Sequence, residues 1–70
     1  MNFSHYICPE RGLIVTARGA GYFWATWSVT SSRTLQALEE SPKGKSKPSW
    51  RQWYPKARRR AEIYLEGLAL

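Results

Sequence analysis

The stretch GYFWATWSVT, residues 21–30, restricts the fold more than any other part of the chain. Read as a strand, it sends alternate side chains to opposite faces. Phe23, Ala25, Trp27 and Val29 then form an apolar face, and Tyr22, Trp24, Thr26, Ser28 and Thr30 share the other. Three hydroxyls in a row are costly inside a small core unless each finds a partner. The pattern therefore predicts Phe23, Trp27 and Val29 facing inward, with Tyr22 and Trp24 on the open face. Rings placed there either anchor a partner or stack on something flat.

A strand of this kind needs neighbours, and the preceding residues supply them. NFSHYIC (2–8) alternates well enough for a strand, and LIVTAR (13–18) is β-branched and apolar. PERG (9–12) carries the turn residues Pro9 and Gly12, and GAG (19–21) is a connection of hairpin length. The expectation is a three-stranded antiparallel meander over about 2–8, 13–18 and 21–30. Ser31 and Ser32 then offer N-caps to RTLQALEE, whose good helix formers and i,i+3 leucines Leu35 and Leu38 predict a short helix over about 32–40. A fourth strand is the competing reading of that segment. SPKGKSKPS (41–49) reads as a mobile basic loop.

The C-terminal segment carries one continuous helical stripe: Trp50, Trp53, Tyr54, Ala57, Ala61, Tyr64, Leu65 and Leu68. Ser49 and Gln52 match a capping box, and Gly67 fits a helix stop. Pro55 interrupts the pattern, because it lacks an N–H and disfavours the α conformation at Tyr54. A turn at 49–54 and a main helix over about 55–67 are expected from this. Seventy residues make a single domain, 1–70, near the lower size limit for an unstapled core. The predicted class is α+β, with the helices packed on one sheet face.

Catalytic chemistry is poorly supplied. His5 and Cys8 are the single histidine and cysteine, and an odd separation along a strand sends them to opposite faces. Two such ligands are too few for a structural zinc site, and GAG lacks the length and the lysine of a phosphate loop. No metal, cofactor or catalytic residue is expected, although a small ribonuclease working with Arg, Lys and Tyr alone is left open. A lone cysteine suits a reducing, cytoplasmic setting. No leader-like segment and no apolar run of about 18 residues points to a membrane.

Charge is more informative. Eleven Lys and Arg face five acidic residues, for a net charge of +6. Lys43, Lys45, Lys47, Arg51, Lys56, Arg58, Arg59 and Arg60 gather eight of those cations within 18 residues, with no acid between Glu40 and Glu62. Such a block is the usual footprint of a polyanion partner. Three successive arginines spread over roughly 200° of a helix surface, which suits phosphates or acidic side chains better than one row of bases. Tyr22 and Trp24 add flat surfaces on which bases stack.

In layout, three strands followed by a helix ending AEIYLEGL, the chain resembles the small arm-binding modules at the N-termini of phage-type recombinases. Its size and basicity are also similar to those of small phage or mobile-element proteins, including anti-CRISPR inhibitors. The leading expectation is a non-enzymatic DNA- or RNA-binding module that uses the 43–60 cations with aromatic support. The alternative is an inhibitor or adaptor docking the same residues on an acidic protein surface.

Overall fold

The computed structural model describes residues 1–19, 23–41 and 48–68. Four strands, β1 (Asn2–Cys8), β2 (Gly12–Arg18), β3 (Trp24–Val29) and β4 (Leu35–Glu40), precede one helix, α1 (Pro48–Gly67). The strands form a single antiparallel sheet in the order β1-β2-β3-β4. Each pairs with its neighbour in sequence, so short turns suffice and no crossover is needed. The class is α+β, as the alternation and the stripe together require.

The first three strands lie where the alternation puts them. Asn2 to Cys8 runs opposite Arg18 to Gly12 without a break, and Ile14 to Arg18 runs opposite Ser28 to Trp24. Gly12 closes the first turn at φ 78°, a conformation that costs a residue with a Cβ but not glycine. Residues 21 and 22 of the expected third strand, and with them Tyr22, lie outside the described residues, and β3 itself is shorter than the expected 21–30, with Phe23 and Thr30 just beyond its ends.

Residues 32–40 are not a helix, and the three-stranded meander is in fact four-stranded. Leu35–Glu40 forms β4, with Leu35 opposite Val29 and Ala37 opposite Trp27. Ser31 and Ser32 fall in the turn rather than at an N-cap. There the Thr30 N–H donates to the Thr34 carbonyl at 2.9 Å, and the Arg33 N–H donates to the Thr30 carbonyl at 2.9 Å. The two threonine hydroxyls also meet at 2.7 Å. Arg33 takes φ 61°, which the tight hairpin imposes. A helix this short is marginal by itself. As a strand, LQALEE satisfies its backbone on β3 and buries Leu35, so tertiary pairing overrides local propensity.

The helix also departs from the expected bounds. It is continuous from Pro48 to Gly67, with Pro55 inside it, so the expected turn at 49–54 is helical and the helix does not start at 55. Pro48 occupies the first turn, where a missing N–H costs nothing, and Ser49 follows it. Pro55 leaves the Arg51 carbonyl without its helical donor, and both residues are exposed, where solvent lowers the cost of the lost bond. Packing on either side holds the turn. Trp50 lies 5.5 Å from Phe23 between ring centroids, and Tyr54 lies 6.0 Å from Trp27.

The helix covers one face of the sheet. Val15, Ala17, Ala25 and Trp27 from β2 and β3 meet Ala57, Ala61 and Leu65 from α1, with Leu35 at the side, and all are buried. Alanine on both layers lets the backbones approach closely, and large rings fill the margins. Gly19 belongs to this fit, since a side chain there would run into the Trp53 indole. The basic loop expected at 41–49 is bounded differently. Ser41 is buried and its N–H donates to the Trp24 carbonyl at 3.0 Å, Pro48 and Ser49 belong to α1, and 42–47 lies outside the described residues.

If α1 is seated as described, Leu65→Ala removes buried surface at its last turns and lowers unfolding free energy by about 2–5 kcal/mol. Denaturant titration reads this directly. A variant that melts like the parent would show that the Leu65 row is not core.

Candidate nucleic-acid interface

The geometry of α1 decides which cations are available. At about 100° per residue, the buried row of Trp50, Ala57, Ala61 and Leu65 fixes the inward direction. Lys56 and Arg59 lie on the opposite side, beside Gln52 and Ile63. Arg60 falls on the flank that carries Trp53 and Tyr64, and Arg51 on the flank that carries Arg58 and Glu62. Arg51, Lys56, Arg59 and Arg60 are all exposed. Among the described residues they make no ion pair within the chain.

Arg58 is different. Its guanidinium donates to the Leu35 carbonyl of β4 at 2.9 Å and sits 3.7 Å from Glu62. It ties the helix to the edge strand, so one of the three successive arginines is engaged in the fold itself. Arg33 acts in parallel, donating to the Leu65 carbonyl at 3.3 Å from the β3–β4 turn. Lys43, Lys45 and Lys47 lie outside the described residues.

The aromatic candidates stand elsewhere. Phe23, Ala25 and Trp27 turn toward α1, which places Trp24, Thr26 and Ser28 on the face away from it. Trp24 is half-buried, opposite Arg18, and its backbone N–H donates to the Ser41 hydroxyl at 3.4 Å. Thr26 uses its hydroxyl locally, accepting from the Glu39 N–H at 3.1 Å. Tyr6 shares this face and is 54% exposed, but it pairs with Ile14 while Trp24 pairs with Arg18. Two strand spacings and four residues separate the rings, roughly 16 Å. They do not make one stacking platform.

Cations and aromatics are thus not brought together. The helix cations point away from the sheet on one side, and Trp24 and Tyr6 look out on the other. Lys56 borders an open hollow of about 320 Å³ with Phe23, Ser49, Gln52 and Trp53. Arg18 is the residue that sequence reading missed. It is exposed and set across from Trp24 on the outer face. The strand alternation carried the signal, since Arg18 falls one residue beyond the inward-facing Ala17.

His5 and Cys8 do lie on different faces. His5 Nδ1 is 2.7 Å from the Tyr64 hydroxyl on the helix side, whereas Cys8 is opposite Gly12 at the end of β1. Among the described residues no group of three or more His, Cys, Asp or Glu side chains is arranged to hold a metal ion. No helix among them is long and apolar enough to cross a membrane. Compared with protein-family models, with curated proteins and with solved structures, the chain matches none of them.

The contrast between Arg58 and Arg59 is measurable. Arg58→Gln should cost about 1–2 kcal/mol, since it removes a charge-assisted bond to a backbone carbonyl. Arg59→Gln should change stability by less than about 0.5 kcal/mol. Equal effects in paired melts would mean that Arg58 does not dock the helix.

Proposed function

We propose that the protein is a small, non-enzymatic nucleic-acid-binding module that holds phosphates on the solvent side of α1. The observation that carries this reading is the set of exposed cations Arg51, Lys56, Arg59 and Arg60, none of them paired within the described chain. Unpaired guanidinium and ammonium groups on one helix surface release counterions when they meet a polyanion, which supplies sequence-independent affinity. Lys43, Lys45 and Lys47 precede α1 in sequence and add to the same block. Arg58 contributes charge to the field and little direct contact, because its donors serve Leu35. The partner is DNA or RNA, the cellular setting is the cytoplasm, and neither a cofactor nor a metal enters the reading.

In this arrangement Trp24 cannot stack on a base whose own phosphate sits on α1, because the whole sheet lies between. Stacking at Trp24, with Arg18 beside it, needs a strand that passes over the outer face. That separation also favours a second reading. A half-buried Trp24 among hydroxyls, away from the helix cations, suits a protein-docking surface with an aromatic anchor. The protein would then be an inhibitor or adaptor, of the kind that phage and mobile elements encode, with an acidic protein as partner.

Binding to random-sequence DNA and RNA across a salt series separates the two. The phosphate reading predicts a linear fall of log affinity with log salt. Lys56, Arg59 and Arg60 together exchanged for Gln should flatten that slope by about 0.7–0.9 for each phosphate no longer neutralised, with melting unchanged. Absence of measurable binding to either nucleic acid at low salt, or an unaltered slope in the triple variant, contradicts it. Trp24→Ala then reports on the outer face. Under the phosphate reading it leaves duplex binding intact.

A further inference from the structure

The two edges of the sheet are unlike. β4 is blunted. Its register with β3 shifts opposite Thr26 and Trp27, it carries Glu39 and Glu40, and its Leu35 carbonyl already accepts from Arg58. Bulges and charges of this kind are how natural sheets stop strangers from pairing with an edge. β1 has none of these devices. Its seven residues, NFSHYIC, contain no Lys, Arg, Asp, Glu or Pro, and they hold an unbroken register with β2. Among the described residues its outer edge pairs with no strand, so a row of backbone donors and acceptors faces solvent.

The exposed apolar surface gathers at the same place. Met1 (43%), Tyr6 (54%) and Ile7 (67%) lie in or beside β1, and among the described residues Ile63 on α1 is the remaining large hydrophobic with comparable exposure. An uncharged, straight and apolar edge is a template for another strand.

We propose that β1 pairs antiparallel with β1 of a second copy of this chain, across a two-fold axis at His5, to give a continuous eight-stranded sheet. Self-pairing fits the chemistry of the strand. Because β1 bears no fixed charge, its own copy sets no like charges opposite one another. The register centred on His5 matches all seven residues. On the helix side it puts Ile7 opposite the partner's Phe3, and on the outer side it puts Tyr6 opposite Ser4. Phe3 is already anchored, stacked on Tyr64 at 5.7 Å, and offers a rigid surface for the exposed Ile7. A two-fold axis perpendicular to the sheet keeps both α1 helices on one side. Arg60 lies on the flank nearest β1, so the two cationic surfaces run together across the axis. One strand pair buries an area at the low end of specific interfaces, below about 1,200 Å², so the association depends on concentration.

Sedimentation equilibrium from low micromolar to near-millimolar protein, in salt that screens the net positive charge, tests this. The parent should move from the mass of one chain to that of two. Ile7→Lys places a charge on the edge and should raise the dissociation constant about tenfold or more. Because Ile7 is exposed, its melting at dilute concentration should match the parent. Ile63→Lys, on the solvent side of α1, should dimerise as the parent does. A parent that stays at one chain throughout, a mass that grows past two chains, or dimerisation lost in Ile63→Lys but kept in Ile7→Lys would each overturn the proposal.

Discussion

Everything in this small molecule depends on the close seat of α1 against β2 and β3. Ala57 and Ala61 on the helix, and Ala17 and Ala25 on the sheet, have no exposed surface. Small residues on both layers bring the backbones together, and that closeness gives the large rings walls to pack against. Trp27 is fully buried in this cluster, and its indole N–H donates to the Tyr54 hydroxyl at 3.2 Å. Trp50 then stacks on Tyr54 at 5.3 Å and meets Trp53 at 5.2 Å, with Phe23 closing the group from the sheet side. A chain of this length buries only about 60% of its unfolded surface, so bulky side chains must do more per residue. Trp27, Trp50 and Trp53 are therefore a requirement of size before they are a hint of function.

That seat sorts the polar residues as well. With the inward row of α1 fixed, Lys56 and Arg59 have no direction left but solvent. Arg58, one position away, reaches β4, and Arg33 reaches the last turn of the helix from the β3–β4 turn. Two arginines of a strongly basic chain thus hold the helix to the sheet edge by binding backbone carbonyls. The same constraint separates the outer-face rings from the helix cations. A nucleotide held by its phosphate on α1 cannot also stack on Trp24, and the proposed phosphate surface does not draw on the outer face.

Much of this was legible in the sequence, and the failures have physical causes. Alternation gave the first three strands and the inward positions of Phe23 and Trp27, because a period of two is hard to satisfy otherwise. The stripe from Trp50 to Leu68 gave the buried side of α1. LQALEE misled because its residues favour a helix locally, and only the free edge of β3 makes it a strand. Pro55 misled because the loss of one hydrogen bond is small beside three aromatic side chains that pack only if the first turns are helical. Arg58 and Arg59 are indistinguishable in sequence; what separates them is the Leu35 carbonyl, which long-range folding brings within reach. Arg18 was visible in the alternation but stands far along the chain from the cation-rich block.

Trp27 is sealed between the sheet and α1, while Trp24, three residues away, is not. Indole N–H exchange in heavy water, followed by NMR with each of the four signals assigned by a single Trp→Phe substitution, tests it directly. The Trp27 indole proton is predicted to exchange more slowly than that of Trp24 by orders of magnitude, limited by opening of the helix from the sheet. Comparable exchange at the two positions, or faster exchange at Trp27, would contradict the seating of α1 on β2 and β3.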